Sequence, residues 1–275
     1  MTSSSLLPQG AIALDTKAAR LVAGYETTPH GKIGHLRFNF PDKHNVIDLE
    51  GWQGIAYVMH QLAALDDIRL IILRGVGGKT FVAGADISQF EEVLAGPEGT
   101  ELDIATVAAF DAIAQCPIPT LAAIEGYCLG GGLGLAAACD LRLAREDARF
   151  GIPAGKLGLA YPANATQHLS TLVGPAHAKR IIFTADRLPI DEAERIGLVQ
   201  HRASAENFET ALQNLAESIC AKAPMSLRAS KFILDNPHAE AAQVKKRLAD
   251  CLASEDYAEG RQAFLQKRDP IFKGK

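Results

Sequence analysis

Two segments carry residues whose main chemical equipment is bare backbone. Phe81–Phe90 reads FVAGADISQF, and Ala83-Gly84-Ala85 within it is too small to form a packing cluster, so something approaches the main chain closely there. Tyr127–Leu135 reads YCLGGGLGL, with three successive glycines that cost roughly 0.5–1 kcal/mol each relative to alanine in ordered structure. A fold tolerates that where a ligand needs free N–H groups, or where a helix must press against a sheet, and the glycines alone leave both uses open. A helix starting after Gly131 turns the positive end of its dipole toward the same spot. One N–H from each segment would make a two-donor pocket for a carbonyl oxygen that becomes negative, an arrangement worth about 10²–10³ in rate per donor.

The glycine run also offers a rival chemistry. Gly132-Leu133-Gly134-Leu135-Ala136-Ala137 fits the G-x-G-x-x-A dinucleotide fingerprint at a strand-to-helix turn. That fingerprint needs an acidic residue about 20 positions later, at the end of a second strand. Asp140 comes too early, and Glu146 and Asp147 fall in what reads as a turn. The fingerprint is incomplete.

Periodicity predicts the elements that must position these segments. Arg20–Glu26 and Lys32–Phe40 flank TTPHG, a hairpin turn with Gly31, and Leu36, Phe38 and Phe40 alternate as in a half-buried strand. Trp52, Ile55, Ala56, Met59, Leu62 and Ala63 recur at helical spacing over residues 48–65. Leu70–Arg74, Thr120–Ile124 and Leu141–Ala144 read as buried strands, with a helix over 102–115 that CPIP stops. This alternation calls for right-handed crossovers and a parallel sheet, an α/β fold.

Beyond Thr184 the pattern turns helical, with hardly a strand signal. Asp191–Glu194 reads as an N-cap with a carboxylate three residues on, and Gly197 as the stop. Glu206–Ala221, Ser226–Asp235, Glu240–Ser254 and Glu255–Arg268 are the remaining helices. The expected organisation is a loose tail over 1–19, a core over 20–200 and a helical region over 201–275.

Composition excludes several classes. The 275 residues are 48% hydrophobic, which rules out a disordered or low-complexity chain. A net charge of −4 gives no basic surplus for nucleic acid. Residues 117–139 reach bilayer length, but Glu125, two prolines and five glycines argue against a membrane helix. No basic residue precedes Lys17, so the N-terminus does not read as a secretory leader. The cysteines at 116, 128, 139, 220 and 251 form no CxxC pair and no zinc spacing, which fits reduced thiols in the cytoplasm and no metal site.

The order AGADI, GYCLGGGLGLAAACDLRLA, ARFGIPAGKLGL, LVGPAHAKRIIFTADRLPIDEAERIGLV and EDYAEGRQAFLQKRDPIFKGK resembles the crotonase (enoyl-CoA hydratase/isomerase) superfamily over nearly everything after Lys32. The resemblance implies a spiral of ββα repeats, a C-terminal helical trimerisation region and a coenzyme A thioester bound between them. It implies that the two oxyanion donors are the N–H groups of Ala85 and Gly131. Ala83, Asp86, Ile87 and Gly130 would line the substrate site beside them. Lys43 lies near the family's contacts to the CoA nucleotide. Phe264 and Lys267 match tail positions that reach a neighbouring subunit's adenine pocket. Homotrimers or dimers of trimers are implied, with CoA arriving as part of the substrate and no separate cofactor.

The chain departs from the hydratase pattern at two positions. Hydratases carry one glutamate just after the glycine triplet and another about twenty residues on; here those positions are Gly134 and Ala154. General acid–base catalysis supplies typically 10²–10⁴-fold per group, so hydration of 2-enoyl-CoA should be weak or absent. Asp140 and Glu146 match structural positions and do not substitute. Tyr161 stands where hydratases have a proline, in step with a tyrosine of bacterial methylmalonyl-CoA decarboxylases, although those have a histidine where Ala85 stands. A tyrosine, with an ordinary pKa of about 10, can orient a carboxylate or deliver a proton. The expected function is an acyl-CoA enzyme that stabilises a thioester enolate. The alternatives are a decarboxylase or thioesterase using Tyr161, and a catalytically silent acyl-CoA-binding trimer. His168, on the helix that follows, reads as a surface or packing residue.

Overall fold

The computed structural model describes residues 6–86 and 97–275. An edge strand, β1 (Ile12–Leu14), runs antiparallel to β2 (Leu21–Thr28), which turns into β3 (Gly31–Phe38). Gly31 has φ +113°, a left-handed value that a side chain would resist at this tight turn. Helix α1 (Leu49–Ala63) follows, its Asp48 N-cap accepting the Gly51 N–H at 2.8 Å.

Three strand–strand–helix units come next: β4 (Ile68–Gly75), β5 (Thr80–Val82) and α2 (Pro97–Ala114); β6 (Thr120–Ile124), β7 (Tyr127–Leu129) and α3 (Gly131–Ala138); β8 (Leu141–Arg145), β9 (Arg149–Gly151) and α4 (Ala163–Thr184). Then come β10 (Leu188–Pro189), α5 (Ile190–Arg195) and β11 (His201–Ala203). The chain ends on α6 (Phe208–Cys220), α7 (Pro224–Asp235), α8 (Ala241–Leu252) and α9 (Glu255–Gln266).

In each unit the first strand enters a seven-stranded sheet of order β1-β2-β3-β4-β6-β8-β11, parallel from β3 onward. The second strand enters a small sheet of order β10-β9-β7-β5. This is the ββα spiral. Alternation within β4 shows why the main sheet is covered twice: Ile71 and Leu73 face one core with Leu36, Phe38 and Ile124, while Leu70 and Ile72 face another with Leu121, Phe208 and Leu212 of α6. Strands buried on both faces read as unbroken apolar runs, as the sequence of β4 does.

The structure departs from the sequence reading at four points. Residues 12–14, inside the stretch read as a loose tail, pair as an edge strand. The region after Thr184 is not strand-free, because β10 closes the small sheet and β11 extends the main one. β11 therefore carries the main sheet past residue 200, and α6 covers one of that sheet's faces. Pro189 rather than Asp191 caps α5, and Asp191 instead pairs with Arg202. Gly197 does end that turn, at φ +80°. All five cysteines are free thiols, and all but Cys251 are buried. No described helix is long and apolar enough to cross a membrane.

Candidate active site

The two backbone-rich segments meet where β5 and β7 end. The stretch after β5 is held by a loop at residues 43–47: the Ala83 N–H donates to His44 O (3.1 Å), the Ile47 N–H to Gly84 O (3.0 Å) and the Asp86 N–H to Ile47 O (2.9 Å). That loop is itself pinned by Asn45, only 1% exposed, whose amide donates to Val76 O and Thr80 O while accepting the Phe40 N–H. His44 Nδ1 adds a 2.8 Å bond to the Thr80 hydroxyl. Asp86 is buried against Arg20 at 2.7 Å, and Arg20 also pairs with Asp48. These bonds fix the direction of the Ala85 peptide. Among the described residues, the Ala85 N–H has no acceptor.

The second segment arrives as the first turn of α3. Gly130 takes φ 52° and ψ −124°, a conformation open essentially only to glycine. Its N–H donates to Gly151 O at 2.8 Å. The Gly131 N–H belongs to the first turn and so has no intrahelical acceptor; none among the described residues replaces it. The far end of α3 is capped by the buried Arg142 guanidinium, which donates to Ala136 O (3.0 Å) and Cys139 O (2.7 Å). Burial pulls that guanidinium's pKa down, and its charge sits at the negative end of the helix dipole.

The segments approach closely. A β-carbon built on Gly84 would stand 3.6 Å from the Gly131 nitrogen and 3.9 Å from Gly130 Cα, and one on Gly131 would stand 3.7 Å from Gly84 Cα. The structure also sorts the glycines by use. Gly132 lies against Val82, where a β-carbon would come 2.1 Å from the carbonyl oxygen, and Gly134 lies beneath Tyr161 and Phe110. Those two permit close packing. Gly131 borders the Trp52 ring, whose Cη2 would be 2.8 Å from a β-carbon there.

Tyr161 closes this end of the site. Its ring is partly buried, and its hydroxyl donates to Gly130 O at 2.9 Å. Burial pushes the phenol's pKa well up, so it keeps its proton. Ala154 follows Pro153, whose Cδ would lie 3.9 Å from a Gly130 β-carbon, and Ala154 is partly buried against the core. Among the described residues, two carboxylates that could have taken part are already engaged: Asp111 accepts from the Asn164 amide at 2.9 Å, and Asp140 accepts from Lys231 and Thr120 at 2.7 Å each. His168 is half-buried, its Nδ1 without a partner among the described residues, and burial lowers its pKa.

The other expected contacts are dispersed. Lys43 is exposed, its ammonium 5.8 Å from the Phe40 ring centre, on the loop that pairs with the Ala83–Asp86 strand extension. Phe264 is 84% exposed on α9, and Lys267 is that helix's C-cap. Ile87 lies outside the described residues. Sequence reasoning treated Trp52 as core, read 102–115 only as a helix and passed over Asn45. The helical period that places Trp52 and Phe110 inside carries no sign that their rings meet edge-on at 5.6 Å beside the glycine turn.

Residues 29–275 match the family model described as enoyl-CoA hydratase/isomerase. The chain is similar to a short-chain-enoyl-CoA hydratase of Clostridium acetobutylicum, 33% identical over 86% of this chain and 93% of that protein. It is similar also to a crotonyl-CoA hydratase of Syntrophomonas wolfei, 34% identical over 88% and 94%. Among solved structures, an enoyl-CoA hydratase/carnithine racemase from Magnetospirillum magneticum superposes with a TM-score of 0.87 at 32% identity, covering 94% of this chain and 97% of that one.

Proposed function

Because the chain belongs to the enoyl-CoA hydratase/isomerase family, we propose that it binds an acyl-CoA thioester with the carbonyl oxygen between the N–H groups of Ala85 and Gly131. The approach of Gly84 to Gly131, at 3.6 Å from β-carbon position to nitrogen, carries this reading. Two donors with no acceptor among the described residues, one of them at a helix N-terminus, favour negative charge on that oxygen and so acidify the thioester α-carbon. The enzyme stabilises the resulting enolate.

Gly134 and Ala154 stand at the positions matched to the two hydratase glutamates, and neither side chain can move a proton. The Tyr161 hydroxyl is committed to Gly130 O. Classical hydration of 2-enoyl-CoA is therefore slow, and chemistry that needs enolate stabilisation without a strong base is favoured. Lys43, with Phe264 and Lys267 from a neighbouring copy, would hold the CoA nucleotide in a homotrimer or dimer of trimers.

The test is to incubate the protein with crotonyl-, 3-enoyl- and methylmalonyl-CoA and follow products by mass spectrometry. We expect thioester binding, turnover of a panel member other than by hydration, and crotonyl-CoA hydration at least about 10²-fold below a hydratase run alongside, the loss of one acid–base group. Hydratase-like rates on crotonyl-CoA would overturn the reading. Binding with no turnover would replace it with the silent trimer, and NAD binding without thioester binding with a dinucleotide site.

A further inference from the structure

The peptide group joining Gly130 to Gly131 has two polar ends. Its N–H, on Gly131, is one of the two proposed donors. Its C=O, on Gly130, accepts three hydrogen bonds: from the Leu133 N–H at 3.0 Å, the Gly134 N–H at 3.2 Å and the Tyr161 hydroxyl at 2.9 Å. The first two are the bonds any helix start supplies. The third comes from a side chain 31 residues away and is the shortest.

Hydrogen bonding to an amide oxygen draws electron density from its nitrogen and makes the N–H a stronger donor, by about 10–30% per bond. It also fixes the plane in which the N–H points, in a residue whose backbone conformation only glycine adopts. Gly134 lacks a β-carbon at the spot where one would meet the Tyr161 oxygen at 2.6 Å, so the hydroxyl reaches Gly130 O over a position kept empty for it. Burial raises the phenol's pKa, so the hydroxyl keeps the proton that it donates.

We infer that Tyr161 is a positioning residue: its hydroxyl orients and polarises the Gly130–Gly131 peptide so that the Gly131 N–H becomes a stronger, better-aimed donor to a thioester oxygen. The inference rests on the assignment of that N–H to the thioester carbonyl. Tyr161 acts through the peptide and transfers no proton to substrate.

Isotope-edited infrared spectroscopy of [1-¹³C]butyryl-CoA bound to the intact protein tests both levels separately. With the wild-type chain, the carbonyl stretch should move to lower wavenumber relative to free butyryl-CoA. In Tyr161→Phe that displacement should shrink by about 10–30%, the share one cooperative bond supplies. Gly130 O keeps its two helix bonds in that variant, so the fold should survive, as thermal unfolding would register. Incorporating 3-fluorotyrosine at position 161, a more acidic donor with an unchanged fold, should enlarge the displacement. A wild-type shift that neither change alters would overturn the role of Tyr161 and leave the donor assignment standing. No wild-type shift at all would overturn the donor assignment and this inference with it.

Discussion

A β-carbon on Gly134 would stand 2.6 Å from the Tyr161 hydroxyl oxygen, and 2.7 Å from Phe110 Cζ. The absent side chain and the phenol share one volume, between the first turn of α3 and the loop entering α4. This packing accounts for a glycine inside a helix where alanine would otherwise be favoured by about 1 kcal/mol. It also means that a carboxylate side chain cannot be accommodated at position 134 by changing that residue alone.

Gly134→Ala should therefore destabilise the protein by about 1–3 kcal/mol, the usual range for an overpacked core, despite alanine's higher helix propensity. Gly134→Glu should lower the melting temperature further and gain no hydration of crotonyl-CoA. Thermal unfolding checks the first, and product analysis the second. A neutral or stabilising Gly134→Ala would show that Tyr161 and Phe110 do not occupy that space.

Trp52 is the chain's sole tryptophan, and its ring borders Gly131. Its indole N–H is buried without a hydrogen-bond partner among the described residues. Binding of crotonyl-CoA should change Trp52 emission, whereas ADP, which carries no acyl group, should leave it unaltered. Calorimetric binding of crotonyl-CoA with unchanged emission would move the acyl group away from Gly131.

Glu125, read in the sequence as the charge that disqualifies residues 117–139 from a bilayer, bridges two guanidiniums in a nearly buried network. It meets Arg74 at 2.7 Å and Arg145 at 2.8 Å. Glu125→Ala should cost near the lower end of the roughly 3–5 kcal/mol typical of breaking a buried pair. Arg74 retains Glu209 and Arg145 retains Asp147, which softens the loss. Chemical denaturation measures it, and a change below about 1 kcal/mol would show that the two outer carboxylates suffice.

Stability should fall on acidification in two stages. Burial holds the pKa of His35 below the ordinary histidine value, so the unfolded chain takes up that proton first and stability is lost as pH drops below about 6.5. Glu26, Glu209 and Asp147 are held low by His35, Arg74 and Arg145 respectively, so their contribution is present above the ordinary carboxylate range and is lost as pH falls through their lowered values. In His35→Gln, melting temperatures measured between about pH 7.5 and pH 4 should show a smaller first stage, reduced to the share of His168, whose pKa burial also lowers, and should keep the part of the second stage that Glu209 and Asp147 carry. An unchanged profile in that variant would assign the upper stage to another group.

The main strands and helices, and the two segments of the candidate site, were legible in the sequence, because each is written locally. The alternation through Leu36 and Phe38, the helical period of Trp52 through Leu62, and the apolar runs at Leu70–Arg74 and Thr120–Ile124 each announce one element within its own span. Two glycine-bearing turns after strands were enough to locate close approach to the backbone. The small sheet was not legible, since β5, β7 and β9 are three residues each, too short for alternation to register. Nor could local pattern tell a packing glycine from one that exposes a donor. That distinction depends on what stands opposite: the Val82 carbonyl at Gly132, the Tyr161 phenol at Gly134, and Gly84 at Gly131. Those neighbours are brought in from other turns of the spiral, so only the folded chain decides which glycine serves packing and which leaves its amide without an acceptor among the described residues.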